Sequence, residues 1–363
     1  MKIGVIASVA HSLPPRNYGP WEQIASTLTE GFVARGHEVT LFATADSKTS
    51  ARLVSPVQAG YEEVDGADAK ACEALHNATA FEHAHEFDVI ANHFDFMPLT
   101  YSRLVSTPVV TTVHGFSSEQ ILPVYRAFDD IAHYVAISAA NRHPELTYDA
   151  TIHHGIDTSE FTFVPVHGKY LLFLGRIHPD KGAHLAIEVA KLAGLPLIIA
   201  GIIQDQRYFD DEVAPHIDGT DVSYVGPVGP AKRDELLGGA RALLHLIGFA
   251  EPFGLSVVES LATGTPVIAT PLGSMPEIVQ DGRTGFLVTG VADAVEAVGK
   301  ISKLDRPDCR NDAAERFSAD RMIDSYLALF ATVAALPRRS ARPTGPAPGQ
   351  AIGSPGLFSH AGL

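Results

Sequence analysis

Residues 248–270 read GFAEPFGLSVVESLATGTPVIAT, and this stretch combines a turn, an amphipathic segment and a short apolar run. Pro252 favours an extended backbone at Glu251, and Gly254 suits the N-terminal cap of a helix. The stretch therefore predicts a helix that starts near Gly254, carries Glu259 on its second turn and leads into the buried strand PVIAT. Units of this kind are typical of parallel sheets covered by helices.

The same alternation of apolar runs and amphipathic stretches extends through most of the chain. In the first half, apolar runs predict strands over 2–8, 38–44, 88–92, 108–113, 133–137 and 151–153, and helical spacing predicts a helix over 20–36. A second series begins with KYLLFLGRI at 169–177, continues with a helix at 183–193, and includes the runs LPLIIAG, DVSYVG, RALLHLI and TGFLV. This order predicts an α/β fold with two doubly wound, Rossmann-like halves.

The segment VPVHG at 164–168 separates the two series, so we predict an N-terminal domain over 1–164 and a C-terminal domain over 165–312. A last amphipathic helix is predicted over 313–335, within the segment 313–336, and the Pro-, Gly- and Ser-rich stretch 337–363 is predicted to be a flexible tail. Ligands of doubly wound sheets bind at the carboxyl ends of the strands. We therefore expect the functional site in the cleft between the two domains.

Composition restricts the class of partner and the compartment. The chain has 363 residues, with 27 basic and 42 acidic side chains, and its net charge of −15 argues against nucleic acid as a partner and allows at most peripheral membrane contact. Cys72 and Cys309 are far apart in the sequence and match no metal or redox spacing. The opening MKIGVIASVA is interpreted as a first strand, and no run approaches the ~18 residues of a spanning helix, so a cytoplasmic location is expected.

The amides around Phe253 to Ser256, at the start of the predicted helix, favour an anion such as a diphosphate. A carboxylate beside a diphosphate is repelled unless it serves hydroxyl groups of the same ligand. We therefore assign Glu259 to a ribose diol and Glu251 to hydroxyls of a sugar carried by the diphosphate. The alternative is that both are ordinary surface residues of a turn and a helix.

The stretch FLGRIHPDKG at 173–182 supplies positive charge for such an anion. Its predicted strand ends at Gly175, and Arg176 and Lys181 lie on the following turn, where a guanidinium and an ammonium can contact phosphate oxygens. The alternative is a solvated turn.

Two loops of the first half also point toward the cleft. TTVHGF places His114 just after a buried strand, where it could donate a hydrogen bond to a sugar hydroxyl, although a structural histidine is the open alternative. PPRNYGPWEQ places Gly19 where backbone can approach a ligand closely and Glu22 in a first helical turn; a simple Pro/Gly loop is its alternative.

Taken in order, YGPWEQIASTLTEGFVARGHEVTLFA, TTVHGF, HHGIDTSEF, FLGRIHPDKG and EPFGLSVVESLATGTPVIAT with GSMPEIVQDGRTGFLV resemble family 4 retaining glycosyltransferases of the GT-B fold, over about residues 2–335. The resemblance implies an acceptor-side N-terminal domain, a nucleotide-sugar donor domain after it, and a last helix that crosses back to the first domain. The donor-site residues that it implies are Gly19, Gly175, Arg176, Lys181, Gly226, Glu251, Phe253, Gly254, Leu255 and Glu259. His114, Arg176, Lys181 and Glu251 are the implied catalytic residues.

Within that resemblance, Arg176 and Lys181 hold the diphosphate, Glu259 binds the ribose, and Gly226 lies near the base. This chain departs from similar proteins at Pro20, which lacks an amide where a second glycine is usual, and at His154, which replaces a common asparagine and receives no role. Trp21, the single tryptophan, is a candidate acceptor contact, with packing under the loop as the favoured alternative.

The chain has no DxD triplet, GxGxxG or GxxxxGK[ST] motif, and the pairs EHAH and HH lack ligand spacing, so we expect neither metal nor cofactor. The resemblance implies a metal-independent retaining transfer from a nucleotide-diphosphate sugar, with UDP favoured, to a small metabolite, a lipid-linked saccharide or a polysaccharide. A glycoside phosphorylase, a nucleotide-sugar epimerase and an inactive sugar-nucleotide-binding protein are the alternatives.

Overall fold

The computed structural model describes residues 1–16, 19–116 and 118–337 of the chain. These residues form two parallel β-sheets with helices packed against them, which confirms the predicted α/β class and its two doubly wound halves.

The first sheet has seven strands in the described residues. They are β1 (Lys2–Ile6), β2 (Glu38–Phe42), β3 (Arg52–Val54), β4 (Val89–Asn92), β5 (Val109–Val113), β6 (His133–Ala136) and β7 (Tyr148–Thr151). The helices of this half are α1 (Pro20–Ala34), α2 (Ala69–Glu82) and α3 (Leu122–Phe128), with short 3₁₀ segments at Ala84–Glu86, Met97–Leu104, Glu119–Ile121 and Thr158–Glu160.

The second sheet has six strands in the described residues: β8 (Tyr170–Leu174), β9 (Leu197–Ala200), β10 (Val222–Tyr224), β11 (Ala240–His245), β12 (Val267–Ala269) and β13 (Gly285–Leu287). The helices of this half are α4 (Ala183–Ala193), α5 (Gln206–Tyr208), α6 (Pro230–Gly239), α7 (Leu255–Ala262), α8 (Met275–Ile278), α9 (Val291–Lys300) and α10 (Arg306–Arg316), and the last helix of the described chain is α11 (Ala319–Ala334). This half also contains short 3₁₀ segments at Pro179–Lys181, Ala214–His216 and Ile301–Lys303 and a π-helical turn at Phe209–Val213.

Each sheet has a point at which its strand order reverses. The first sheet runs β3-β2-β1-β4-β5-β6-β7 and the second runs β10-β9-β8-β11-β12-β13, so successive strands are added on the opposite side between β1 and β4 and between β8 and β11, although all strands stay parallel. At such a reversal the loops after neighbouring strands part and leave a crevice at their carboxyl ends. Loops from both sheets therefore line one cleft.

Local signals fix the helices that border this cleft. Helix α4 spans the predicted 183–193 and lies between Gly182 and Gly194, whose φ angles of 72° and 63° are left-handed. Helix α7 begins directly after Gly254, whose φ of 92° is also left-handed. A residue with a side chain is strained in that conformation, so glycine ends or starts these helices where the sequence predicts.

The last predicted helix is wrong in one respect: residues 313–335 form the end of α10 and the whole of α11, not a single helix. The break lies at Phe317 and Ser318, because Ile156 donates to the Phe317 carbonyl and accepts from the Ala319 amide, both at 2.9 Å. The hydroxyl of Ser318 caps α11. The backbone groups at the break therefore form hydrogen bonds with Ile156, and they are not available for the hydrogen bonds of a continuous helix.

Helix α11 packs on the first half of the molecule. Ile323 contacts Gly31 of α1, the Tyr326 hydroxyl lies 2.7 Å from that of Thr112 on β5, and Arg35 pairs with Asp320 at 2.8 Å. Phe330 packs edge-on against Phe32.

Four features of the first half were not predicted correctly. β3, α2 and α3 were not predicted, and the predicted strand 151–153 is instead β7, at Tyr148–Thr151. β7 is an edge strand whose second residue, Asp149, is exposed, so its sequence lacks an apolar run. The predicted tail lies, from residue 338 onward, outside the described residues. Across the parts of the chain that the structure describes, no helix has the length and hydropathy needed to cross a membrane.

Candidate functional site

A cleft of about 440 Å³ lies at the carboxyl ends of the two sheets. Its wall contains eleven of the predicted site residues: Gly19, Trp21, His114, Gly175, Arg176, Lys181, Glu251, Phe253, Gly254, Leu255 and Glu259. Gly226 is not among the lining residues, although Pro227 and Val228 after it are. The Gly226 carbonyl accepts the Gly201 amide at 2.9 Å. Gly226 therefore contacts a residue that lines the cleft, since Gly201 is one of the lining residues.

Lys181 and Glu251 form the central ion pair of the cleft. Lys181 stands at the end of the turn between β8 and α4, and its Nζ donates to Oε2 of Glu251. His245, the last residue of β11, places Nε2 at 3.7 Å from the same oxygen. Burial raises the pKa of Glu251, but His245 and the Lys181 ammonium outweigh burial and lower it to about 2. Glu251 is therefore an anion at neutral pH.

Other groups hold the basic turn in place. The Lys181 ammonium lies 4.7 Å from the ring centroid of Phe249, a cation–π distance. The Arg176 guanidinium donates to the Gln204 side chain. Both cations line the cleft, and each is in contact with a neighbouring side chain.

The N-terminal end of α7 supplies backbone donors to the same cleft. The first amides of a helix have no carbonyl partner within it, and in α7 no side chain caps them; Gly254, Leu255 and Ser256 line the cleft. The loop before α7 is held closely: a Cβ at Gly273 would lie 2.2 Å from the Glu251 carbonyl oxygen. The partial positive charge of a helix N-terminus favours an anion at this point.

Glu259 lies one turn farther along α7, with its carboxylate 3.3 Å from the guanidinium of Arg233 on α6. Burial raises the pKa of Glu259, although the charge of Arg233 opposes this. Two carboxylates thus flank the α7 N-terminus, one paired with Lys181 and the other with Arg233. This is the spacing that the opening sequence stretch predicted for a ligand with a diphosphate between two hydroxyl-bearing groups.

Three buried histidines form a chain on the N-terminal side of the cleft. His93, His114 and His154 follow β4, β5 and β7; His93 Nδ1 lies 3.2 Å from His114 Nε2, and His114 Nδ1 lies 3.2 Å from His154 Nε2. Burial lowers the pKa of His93 and of His154 to about 3, and it lowers the pKa of His114 well below its usual value. The three rings are therefore neutral. Both ring nitrogens of His114, from which a sugar contact was expected, are engaged by other histidines.

Trp21 covers His114 from the α1 side, and Gly19 lies two residues before Trp21 in the chain. The Trp21 ring stacks on His114, with centroids 5.3 Å apart and planes 20° apart, while it also lines the cleft. Gly19 precedes α1 with φ 155°, and a Cβ there would lie 2.9 Å from Oε2 of Glu22. Pro20, the first residue of α1, donates no amide to the cleft.

The two halves also touch directly beside the cleft. The Glu277 carboxylate, at the end of the second half's α8, accepts the amides of Ala139 and Ala140 at 2.9 and 2.8 Å. The Ser138 hydroxyl donates to the Pro252 carbonyl at 2.7 Å. The residue that follows Glu251 is therefore in contact with the first half.

Sequence reasoning did not identify several residues of this site. His93, Gln204, Arg233 and His245 complete the interactions of predicted residues but were assigned no role. His245 ends a buried strand, which is the signal that identified His114, so the same rule could have found it. Arg233 carries no such signal because it lies on α6, whose approach to α7 depends on helix packing. Within the described part of the chain, no group of three or more His, Cys, Asp or Glu could hold a metal ion.

Two protein-family models match the chain. Glycosyltransferase Family 4 matches residues 22–160, and Glycosyl transferases group 1 matches residues 158–317. Together these matches cover both halves and all the cleft residues of the second half.

Curated relatives are more distant. The D-inositol 3-phosphate glycosyltransferase of Mycolicibacterium smegmatis is 29% identical over 220 residues, which is 53% of this chain and 51% of that protein. The protein of the same name from an Arthrobacter species is 28% identical over 276 residues, which is 62% of this chain and 64% of that protein. The chain thus spans between half and two thirds of the length of these relatives.

Solved structures share the whole fold. Sucrose-phosphate synthase from Thermosynechococcus elongatus has a TM-score of 0.74 at 19% identity, and the match covers 92% of this chain and all of that one. Anabaena HepE in complex with UDP and glucose has a TM-score of 0.69 at 19% identity, with the same coverage. At these identities the likeness concerns the fold alone.

Proposed function

This chain is a family 4 glycosyltransferase with the GT-B fold, and on that basis we propose that it transfers a sugar from a nucleotide diphosphate to an acceptor hydroxyl. One observation carries the proposal: Arg176, Lys181 and the uncapped N-terminus of α7 converge on a single cleft. Together these groups offer the positive charge that a diphosphate needs.

We propose a place in the cleft for each part of the donor. The ribose lies against Glu259, whose carboxylate accepts hydrogen bonds from the diol, with Arg233 beside it. The diphosphate lies at the α7 amides, and the sugar lies toward Glu251. We favour UDP as the nucleotide, and the complexes of HepE with UDP and with UDP-glucose support this choice by their shared fold.

The reaction proposed is a transfer with retention at the anomeric carbon. The bond from that carbon to the leaving phosphate oxygen breaks, the acceptor oxygen bonds to the same face, and the acceptor's proton passes to the leaving phosphate. Lys181, Arg176 and the helix end stabilise the charge that develops on the departing diphosphate. Glu251 is held by Lys181 and lies beside the sugar, where it accepts hydrogen bonds from hydroxyls. We propose no metal and no cofactor for this step.

The acceptor enters from the N-terminal side, past Trp21. A small metabolite, a saccharide and a lipid-linked saccharide are the classes that fit the family. Because two relatives are named D-inositol 3-phosphate glycosyltransferase, we would test small acceptors first. We propose a cytoplasmic location and at most peripheral membrane contact.

The test begins with thermal shifts of the full chain against UDP, GDP and ADP and their common sugar conjugates. We expect one nucleotide class to stabilise the protein, and we expect transfer to continue in excess EDTA and to keep the anomeric configuration by proton NMR of the product. Lys181→Ala should lower turnover at least a hundredfold, because the charge on the leaving group loses its cation. Lys303→Ala, at an exposed position away from the cleft, is the matched control.

Three results would contradict the proposal. Binding of none of the nucleotides would remove the diphosphate site, and full turnover in both Lys181→Ala and Arg176→Ala would remove these residues from it. Release of a sugar phosphate from a disaccharide and inorganic phosphate, without nucleotide, would identify a phosphorylase instead.

A further inference from the structure

The Lys181 ammonium is already bonded to a carboxylate of the same cleft. Lys181 and Glu251 form an ion pair whose side chains are only 13% and 14% exposed, so solvent and salt screen it little. Because its pKa is lowered to about 2, Glu251 is an anion at neutral pH. A diphosphate that enters the cleft therefore meets a lysine whose charge is partly neutralised.

Glu251 and a diphosphate compete for this cation. An ammonium has three N–H donors, so Lys181 can contact both anions, but its single charge is then divided between them. The two anions also repel each other, because like charges in a partly buried site are weakly screened. Without hydroxyl donors that offset this repulsion, the charge of Glu251 opposes the binding of a diphosphate.

His245 offers Glu251 a second partner. It is the last residue of β11, it lines the cleft, and its side chain is 6% exposed. Its Nε2 is buried, has no hydrogen-bond partner among the described residues, and lies 3.7 Å from Oε2 of Glu251, the oxygen to which Lys181 donates. A carboxylate only accepts hydrogen bonds, so its presence favours the tautomer of His245 with a proton on Nε2. A shift of about 1 Å would bring this N–H within the roughly 2.9 Å of a hydrogen bond.

We propose that Glu251 exchanges partners when the nucleotide sugar binds: Lys181 turns to the diphosphate, and the Nε2–H of His245 takes its place at the carboxylate. His245 is thereby a positioning residue that keeps Glu251 where it accepts hydrogen bonds from the sugar hydroxyls. The nucleotide diphosphate left after transfer lacks those hydroxyls, so the charge of Glu251 opposes it and favours its release. This inference rests on the proposed function.

The competition is tested by titration calorimetry of the full chain with whichever of UDP, GDP and ADP stabilises it. Glu251→Gln keeps the shape of the side chain and removes its charge, so we expect the free nucleotide diphosphate to bind at least about threefold more tightly. Glu259→Gln is the matched comparison, because it removes the other carboxylate of the cleft and is expected to weaken the same binding. Unchanged or weaker binding in Glu251→Gln would overturn the partner exchange, whereas a protein that binds none of the three nucleotides would overturn the proposed function itself.

The role of His245 is tested by a double-mutant cycle with the same titration. His245→Phe keeps a ring of similar size without an N–H, and we expect it to weaken binding of the free nucleotide diphosphate about three- to tenfold, the worth of one hydrogen bond. In the Glu251→Gln background, where no charge needs a new partner, the same change should have an effect of less than about twofold. An equal loss in both backgrounds would show that His245 only supports the shape of the cleft, and it would overturn the proposed role.

A second variant keeps the test decisive where His245→Phe does not fold. The side-chain amide of His245→Gln places an N–H close to the position of Nε2, so binding should stay within about threefold of the wild type. A tenfold loss in a His245→Gln protein that unfolds at the same urea concentration as the wild type would also overturn the proposal.

Discussion

Glu259 shows how the setting of a single carboxylate restricts its role. It lies on the inner face of α7, is 8% exposed, and has Arg233 as its ion-pair partner at 3.3 Å. A buried carboxylate with one cation on one oxygen keeps lone pairs for further donors. A ribose diol would supply two hydroxyl donors at this position.

We predict that Glu259→Gln weakens binding of the nucleotide diphosphate about ten- to a hundredfold. The reason is that hydrogen bonds to a charged group are worth about 1.5–3 kcal/mol, and the neutral amide keeps only part of this while still accepting from Arg233. Isothermal titration calorimetry measures the effect, with Glu188→Gln, on the exposed side of α4, as control. An unchanged dissociation constant would exclude the ribose role.

At the scale of elements, α1 and α11 pack closely because α1 has a glycine at the contact. A Cβ at Gly31 would lie 2.3 Å from Cδ1 and 2.7 Å from Cγ1 of Ile323. Real Cβ atoms do not approach this closely, so a larger residue must displace the Ile323 side chain or move the helices apart. Since α11 contributes Tyr326 and Phe330 to the core of the first half, the contact links the C-terminal helix to the sheet that carries the histidine chain.

We predict that Gly31→Ala destabilises the protein by about 1–3 kcal/mol, the usual cost of overpacking, although alanine favours helix by about 1 kcal/mol. Urea denaturation measures the change. Gly299→Ala in α9, where nothing lies within 4 Å of the added Cβ, should be neutral or stabilising. Adding Ile323→Ala to Gly31→Ala removes both clashing atoms, Cδ1 and Cγ1, so the double variant should lose less stability than the sum of the two single losses; additive losses would refute this explanation.

At the scale of the whole molecule, buried neutral histidines make folding sensitive to acid. Burial lowers the pKa of His76 to about 4 and of His93 and His154 to about 3, from a usual value of 6.5, and lowers that of His114 as well. Below pH 6.5 the unfolded chain binds protons at these sites and the folded protein does not, so stability falls as the pH falls. Burial also raises the pKa of Asp95 to about 6, and it raises that of Glu22, Glu73, Glu259 and Asp312; these carboxyls act in the opposite direction.

We predict that the free energy of unfolding is highest above pH 6.5 and decreases toward pH 5, with each such histidine contributing up to about 1.4 kcal/mol per pH unit. Urea denaturation at several pH values gives the slope. His76→Gln should reduce that slope by one histidine's share, whatever it does to the absolute stability, and His85→Gln should leave the slope unchanged. A slope that is the same in all three proteins would show that buried histidines do not govern it.

The parts of this protein that the sequence by itself determined are those with local causes. They include the alternation of apolar runs and helices, the limits of α4 between two glycines, and the start of α7 after Gly254. Each depends on residues that are adjacent in the chain, so each could be predicted without knowledge of the fold. The cleft was predictable for a related reason, because parallel strands end on one edge and the motif residues follow those strands. The positions of Glu251 before α7 and of Glu259 on it were predictable from their spacing around the helix N-terminus, whereas their ligand roles stay predictions.

Tertiary structure alone decided which of those residues meet. The bond of His93 to His114 requires β4 beside β5, the pairing of Glu259 with Arg233 requires α6 against α7, and the break before α11 requires Ile156 between Phe317 and Ala319. Each contact joins residues separated by 20 or more positions along the chain. Contacts of this kind depend on strand order and helix packing, which are properties of the folded whole, and no local pattern encodes them.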